Sequence, residues 1–592
     1  MLPDPLPHLQ RVFGFPDFRG VQREVVDRVL GQQRTLAVMP TGAGKSLTYQ
    51  LPAVMMRGTC VVVSPLIALM HDQLRAAEAV GIRAATLTSV DTNQAETRRR
   101  LRAGELDLLY VAPERASGDG FRSLLSEAEL SLFAIDEAHC VSEWGHDFRP
   151  DYRLMKPLMD SFPDVPRLAL TATADAHTRA DILGQLGIPA EGLIVSGFDR
   201  PNIRYNIAPK AGANRQIADL IRRIPGPGIV YCQSRVGTEK MAAALAGAGR
   251  PTRAYHAGLD PAVRARNQAD FVASEDMVIC ATVAFGMGID KPDVRFVIHA
   301  GLPKSIESYY QETGRAGRDG DPAAAHLFWG AEDFVRARQR IGEVEPDRRA
   351  GEQARLQSLS ALVETGGCRR RVLLKHFGED CAEDCGNCDN CLGTGGGGAS
   401  VDATELARKF LSAVFRTRQM FGQGYIEQVL TGKSTERSLM NGHEALSVWN
   451  IAGADEAALI KPVARALMLR DALRANEHGG LEFGPGARPL IKGEATLSVA
   501  PAPARERRRR GEPATVGSET DDPLFEALRV RRRDLAKEAG VPPYVIFHDS
   551  VLRDIAARRP ASRAELAVLS GIGARKLDAY GDAFLEVVRE AA

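Results

Sequence analysis

The sequence has no apolar run near the ~18–20 residues a membrane-spanning helix needs, which argues against an integral membrane protein. Its first eight residues, Met1 to His8, are proline-rich and lack the basic-then-apolar order of a secretory signal. Cysteine is scarce, nine in 592 residues, and four of the nine fall between Cys381 and Cys391. That argues against a disulfide scaffold and for a metal site in a reducing cytoplasm. No sign of charge dominates: Lys plus Arg total 76 and Asp plus Glu 75, a net of +1. Any basic surface for a nucleic acid must therefore be local. Aromatic residues are only 6%, so a dense aromatic cluster carries information. What is there, 44% apolar and 26% charged, suits a globular chain. At ~100–200 residues per domain it predicts several domains.

Short apolar runs alternate with helical stretches in the first third. Residues 36–39, 61–63, 108–112, 132–135 and 168–170 read as buried parallel strands. The rhythm returns after about residue 206, at 228–232, 277–281 and 296–299. Two consecutive α/β sheets follow from it. After about residue 335 it stops. A charged helical stretch leads to the cysteines, and four glycines at 395–398 read as a flexible link. Residues 401–495 read as a small helical domain with a late hairpin at Gly479-Gly480. Residues 498–520, with several prolines and four arginines at 507–510, read as a linker. Helical apolar spacing resumes from Pro523.

The sharpest local signal is Met39-Pro-Thr-Gly-Ala-Gly-Lys-Ser46, after a strand and opening a helix. Thr41, Gly42 and Gly44 would let backbone N–H groups face phosphate oxygens. Lys45 would reach the β/γ-phosphates and the Ser46 hydroxyl would hold Mg²⁺. The strict pattern asks for glycine at position 39, and alone the segment also fits a glycine turn. Asp136-Glu-Ala-His139 ends a later apolar strand. Asp136 suits the Mg²⁺ shell of ATP, and Glu137 suits orientation of the attacking water. Arg315 and Arg318, in Gln311-Glu-Thr-Gly-Arg-Ala-Gly-Arg318, lie three apart and share a helix face. They fit arginine fingers, though taken alone a basic surface turn is the better reading.

In this order the motifs resemble superfamily 2 helicases and, among them, the RecQ family of DNA helicases. Ser64-Pro-Leu-Ile-Ala-Leu-Met-His-Asp-Gln73, Thr171-Ala-Thr173, Tyr231-Cys-Gln-Ser-Arg235, Tyr255-His-Ala-Gly258 and Ala284-Phe-Gly-Met-Gly-Ile-Asp290 extend the match along the chain. The resemblance implies that the segment around Phe13-Gly-Phe15 and Phe18-Arg-Gly-Val-Gln22 recognises adenine. Phe15, where the family usually has tyrosine, would stack on the base, and Arg19 and Gln22 would contact it. It implies two α/β RecA-like lobes (1–205 and 206–340) and a zinc-binding helical subdomain (341–394). A winged-helix domain (401–497), a linker (498–520) and a small all-α HRDC domain (521–592) would follow.

Cys368, Cys385, Cys388 and Cys391 have the spacing C-x16-C-x2-C-x2-C, which fits one closed, structural zinc shell and matches the RecQ zinc subdomain. Cys381 is an alternative to Cys385, disfavoured because the x2-x2 knuckle needs Cys385. The segment from Cys140 to Tyr152 is rich in rings, and its Trp144, Phe148, Arg149 and the adjacent His139 suit base stacking and coupling. A loop tucked into the core is the plainer reading, and resemblance to the family's aromatic-rich loop favours DNA. Ala458 to Arg474 reads as one helix carrying Lys461, Arg465, Arg470 and Arg474 toward duplex phosphates, or merely a solvated face. In the last domain, Tyr544 would stack or pack, and Gly571-Ile-Gly573 would offer N–H groups to a phosphate.

The resemblance implies an ATP-dependent DNA helicase moving 3′ to 5′ and acting in repair and recombination, with Mg²⁺ and one Zn²⁺. Single-stranded, forked or junction DNA is the expected partner, with single-strand-binding or recombination proteins as candidates, in a bacterial cytoplasm at the nucleoid. An RNA helicase and a DNA-binding scaffold with a dead ATP site are the rivals.

Overall fold

The computed structural model describes residues 3–65, 67–116, 118–142, 148–285, 291–381, 383–394, 401–475, 480–499 and 522–591. Two parallel sheets are built on short strands buried on both faces. The first contains β1 (Thr35–Val38), β2 (Thr59–Val63), β3 (Ala84–Leu87), β4 (Leu108–Val111), β5 (Leu130–Ile135), β6 (Arg167–Thr171) and β7 (Leu193–Val195). Their order is β3-β4-β2-β5-β6-β1-β7. Thr-Cys-Val-Val-Val of β2 is buried at every position, as a strand covered by helices on both sides requires. The second sheet contains β8 (Ile203–Pro209), β9 (Gly228–Tyr231), β10 (Thr252–Tyr255), β11 (Val278–Ala281), β12 (Phe296–His299) and β13 (Ala323–Trp329). Its order is β10-β11-β9-β12-β13-β8. Because β8 belongs to this sheet, a division at 205/206 falls inside a strand.

Topology positions the site. In the first sheet β5, β6 and β1 are neighbours, with Ile135 opposite Ala169 and Val38 opposite Thr171. The residues following these three strands therefore emerge side by side at the carboxyl edge, where parallel α/β sheets bind ligands. In the second sheet β12 leads to a helix, Ile306–Thr313, whose N-cap Ser305 accepts from Ser308 N. That helix ends in the turn carrying Arg315 and Arg318. Gly317 holds φ +56° there, and a Cβ would lie 2.5 Å from Asn202 Nδ2, so the turn requires glycine.

Three helices follow, Ala331–Glu343, Pro346–Glu364 and Arg369–His376. The winged-helix region packs its own core, including Phe410, Ile426 and Leu467. A hairpin pairs Leu473–Ala475 with Leu481–Phe483, and Val401–Asp402 pairs with Ser498–Val499. The hairpin tip lies outside the described residues. The expected helix from 458 to 474 is shorter, Ile460–Leu469, and Arg474 stands on the hairpin strand, paired with Asp471 at 2.6 Å. The C-terminal domain is helical around Leu528, Phe547 and Phe584. No helix among the described residues is long and apolar enough to cross a membrane.

Candidate active site and metal centre

The phosphate loop between β1 and helix Leu47–Met55 turns on Gly42 and Gly44, at φ +87° and +73°. Neither position accommodates a side chain easily. A Cβ at Gly44 would lie 2.5 Å from Gln22 Nε2, and one at Gly42 would touch Arg318 Cγ at 3.4 Å. Lys45 Nζ donates to Met39 O at 3.2 Å, so the ammonium lies across the loop. Ser46 is the N-cap of the helix. Methionine is tolerated at position 39 because its side chain is core, 1% exposed, rather than part of the phosphate cradle.

Asp136 and Glu137 leave the end of β5. Asp136 accepts from Gln73 Nε2 at 3.3 Å and from Glu137 N at 3.0 Å. Burial, reinforced by the Glu137 charge, pushes its pKa up to about 6 against the pull of Lys45. Two crowded carboxylates under these conditions fit a divalent cation, which would relieve their repulsion. Glu137 takes the left-handed conformation, φ +49°, unusual for a residue with a side chain. Its Oε2 lies 3.4 Å from His139 Nδ1, which also meets Thr171 Oγ1 at 3.0 Å. Thr171 in turn receives Thr173 N at 3.3 Å. The acidic motif and the Thr171-Ala-Thr173 motif are thus one hydrogen-bonded unit. Burial, with Lys45 and Arg149, lowers the His139 pKa to about 3, so the ring is neutral.

The second lobe reaches this loop directly. Arg200, which no motif flagged, donates to Thr41 O at 2.6 Å and to Gly314 O at 3.2 Å, bridging the lobes. It also donates to Ala316 O and Gly317 O. Arg318 therefore faces Gly42 across a narrow cleft, while Arg315 is buried behind it. Sequence alone offers no signal for Arg200, since its acceptors are backbone carbonyls in two distant segments.

At the expected adenine end, Phe15 is 37% exposed, with the Arg19 guanidinium 6.0 Å from its ring. Gln22 is engaged with the phosphate loop: its Nε2 donates to Ala43 O at 2.8 Å and its Oε1 accepts from Arg19 N. The structure thus joins the segment expected to recognise the base to the phosphate loop through the Gln22 side chain.

Cys368, Cys385, Cys388 and Cys391 bring their sulfurs within 4.8 Å of one another. Backbone N–H groups of Arg369, Cys385 and Asn387 point at these sulfurs at 3.4 Å, the arrangement that stabilises thiolates. The donor set fits one tetrahedral Zn²⁺. Cys381 lies outside the group, its thiol on Glu383 O.

The expected DNA residues fare unevenly. Trp144 lies outside the described residues. Arg149 N donates to Cys140 O at 2.9 Å, pinching the loop at its stem beside the acidic motif. Arg149 Nη1 reaches Pro65 O at 2.9 Å, and Arg153 covers the Phe148 ring at 5.1 Å. In the winged-helix region the Arg465 guanidinium lies 5.3 Å over the Trp329 ring of the second lobe. Lys461 and Arg470 remain at the surface. In the last domain Tyr544 packs beside Lys291 of the second lobe, 5.8 Å from its ammonium. Gly573 packs on Gly14, and Arg575 donates to Ala79 O at 2.8 Å, so this face is docked on the first lobe.

A phosphate loop, a buried acid pair and an arginine turn facing each other across two parallel-sheet lobes define a helicase-type nucleotide motor. Family models agree along the chain: DEAD/DEAH box helicase at residues 19–182 and helicase conserved C-terminal domain at 212–320. RecQ zinc-binding follows at 331–392, RQC domain at 398–508 and HRDC domain at 521–588. The ATP-dependent DNA helicase RecQ of Haemophilus influenzae is 39% identical over 599 residues, covering 99% of this chain and 96% of that protein. The Bacillus subtilis protein of the same name is 37% identical, covering 98% of each. The chain belongs to the RecQ family of ATP-dependent DNA helicases.

Proposed function

We propose that this chain hydrolyses ATP to pull single-stranded DNA 3′ to 5′ through the cleft and so unwinds duplex DNA in repair and recombination. The observation that carries the reading is the approach of Arg318 to Gly42, with Arg200 bridging Thr41 and Gly314 beside it. A nucleotide bound between the lobes would use both sides of that contact.

Bound ATP would lie with its base toward Phe15, Arg19 and Gln22 and its phosphates on Thr41, Gly42, Gly44 and Lys45. Mg²⁺ would supply charge neutralisation of the phosphate oxygens, held from Ser46 and Asp136. Glu137 orients the water and accepts its proton. Arg318 stabilises charge on the transferred phosphoryl group, and Arg315 supports it. His139 and Thr171 carry the change in this cleft toward the loop from Cys140 to Tyr152, whose Trp144, Phe148 and Arg149 we assign to the DNA strand. Forked and junction DNA are the expected substrates, and single-strand-binding or recombination proteins the expected partners, at the nucleoid.

Lys45→Ala tests the reading. It should retain DNA binding and lose ATPase and unwinding by ~10³-fold or more. Near-normal unwinding by this variant, or stimulation by RNA rather than DNA in the parent, would overturn it.

A further inference from the structure

Arg200 stands on the connector between the two sheets, after β7 and before β8. The backbone of that connector is held from several sides. Ser196 N donates to Val38 O at 2.8 Å, where β1 runs out into the phosphate loop. Phe198 O accepts from Tyr310 Oη at 2.8 Å, on helix Ile306–Thr313 of the second lobe. The zinc module grips the same stretch. Phe377 stacks on Phe198, with centroids 4.7 Å apart and planes 13° apart, and Arg370 pairs with Asp199 at 2.7 Å. Arg200 therefore starts from a fixed point between the lobes.

Its guanidinium reaches two segments that carry the site. Nη1 donates to Thr41 O at 2.6 Å and to Gly314 O at 3.2 Å, and Nη2 donates to Ala316 O at 3.0 Å and to Gly317 O at 2.9 Å. Helix Ile306–Thr313 ends at its C-cap Gly314, and carbonyls at such an end have no helical N–H to meet. A cation is favoured there. Asn202, on the same connector, adds a second donor: its Nδ2 meets Gly317 O at 2.8 Å and Asp321 O at 2.9 Å. The turn from Gly314 to Asp321 thus hangs from the connector.

The same contacts set the turn's distance from the phosphate loop. A Cβ at Gly42 would lie 3.5 Å from Arg200 Nη1 and 3.4 Å from Arg318 Cγ, so the two arginines flank one point of the loop. A Cβ at Gly314 would lie 3.3 Å from Thr41 Cβ, so the turn packs on the loop with no side chain between them. The planar fork of arginine suits this task, because its terminal N–H groups meet several acceptors in one fixed arrangement. A lysine has three donors on a single nitrogen and cannot hold both segments at that spacing. Arg200 spends its terminal nitrogens on backbone carbonyls, which marks it as a holder of the cleft rather than a second finger.

We infer that Arg200 is a positioning residue for ATP hydrolysis: from the connector between the lobes, its guanidinium holds the arginine turn on Thr41 of the phosphate loop and so fixes where Arg318 stands. The inference rests on the reading that Arg318 serves hydrolysis.

The test compares Arg200→Lys, Arg200→Ala, Arg318→Ala and the double variant Arg200→Ala/Arg318→Ala in DNA-stimulated ATPase assays, with binding of a fluorescent ATP analogue and melting temperature measured beside them. Arg200→Lys keeps the stem and the charge and loses the fork. It should lower kcat by ~10-fold, about 1.4 kcal/mol in transition-state stabilisation, with analogue affinity within about threefold of the parent and an unchanged melting temperature. Arg200→Ala should lower kcat by ~10²-fold; if it misfolds, the lysine variant decides. The double variant should be no worse than Arg318→Ala, because Arg200 acts only through the turn. A fully active Arg200→Lys beside an inactive Arg318→Ala would overturn the positioning role and leave the finger reading standing. If Arg318→Ala hydrolyses ATP normally, the finger reading fails and the inference falls with it. Additive losses in the double variant, or a lower melting temperature with kcat unchanged, would also overturn it, by showing that the guanidinium serves another group or the fold.

Discussion

Glu137 stands in the left-handed region, a conformation that costs a residue with a side chain about 1–2 kcal/mol. In this conformation its carboxylate lies 3.4 Å from His139 Nδ1, next to Asp136, the place proposed above for the acid that orients water. Across the cleft, Arg318→Ala should still bind ATP, measured by a fluorescent analogue, and should lose hydrolysis by ~10³–10⁵-fold. Intact turnover in this variant would move the finger role to Arg315. His139 gives a pH signature. Its folded pKa, about 3, lies below the ordinary ~6.5, so its neutral form favours folding. That contribution is fully present above pH 6.5. It is lost as pH falls toward the folded value, because the unfolded chain takes up a proton that the folded one refuses. The slope is about 1.4 kcal/mol per pH unit for one proton. Urea titrations of His139→Asn between pH 6 and 4 should show stability falling less steeply than in the parent. An unchanged slope would mean that Glu137 keeps the ring protonated.

At the scale of elements, the cysteine cluster is a short helix and a knuckle tied together by sulfur. Helix Arg369–His376 starts directly after Cys368, and Arg369 is buried against Asp389 at 3.1 Å within the same module. Arg370 joins it to the second lobe through Ile203 O at 2.7 Å. The helix and its C-cap residue bury Leu373, Leu374 and Phe377 in the core they share with the lobes, whereas the knuckle that carries three of the cysteines depends on metal binding for its folding free energy. Cys385→Ser should therefore lose the metal and misfold, seen as lost zinc by metal analysis and as aggregation. Cys381→Ser should keep about one zinc per chain and parental ATPase. If the second variant lost zinc and the first kept it, Cys381 would be the ligand.

Over the whole molecule, the C-terminal domain is docked across both lobes. Glu275 of the second lobe accepts Arg532 at 2.5 Å and Arg529 at 3.1 Å, with Arg533 at 3.8 Å. Arg532 is buried and is shared with Asp549 at 2.7 Å. Arg553 pairs with Asp321, just past the arginine turn. On the first lobe the Arg575 guanidinium donates to Ala79 O and Gly573 approaches Gly14. Among the described residues, the ion pairs therefore all anchor the domain to lobe two. Breaking one partner of a buried pair costs about 3–5 kcal/mol. Glu275→Ala should release the domain, raising the radius of gyration in small-angle scattering, while the catalytic residues are untouched. An unchanged radius would show that packing alone holds the domain.

Much of this protein could be read locally. Phosphate chemistry demands particular residue types at short spacing, so Thr41 to Ser46, Asp136 and Glu137 stand out as candidates within a few residues each, whereas Arg315 and Arg318 become candidates only beside them. Thiolate spacing does the same for the four cysteines. Central strands such as β2 and β5 are legible because burial on both faces leaves them almost entirely apolar, Thr59 and Ser131 apart. Strands β3, β8 and β13 are not. Ala-Ala-Thr-Leu and Ala-Ala-Ala-His lack the β-branched density that marks a strand, and β8 alternates buried and part-exposed residues at the sheet edge. Tertiary structure alone decided the contacts of Arg200, Arg465 and Glu275. Arg200 meets Thr41 across 159 positions and Glu275 meets Arg532 across 257. A lone charge with so distant a partner leaves no pattern in sequence, because its energy comes from burial and geometry created only when the lobes close together.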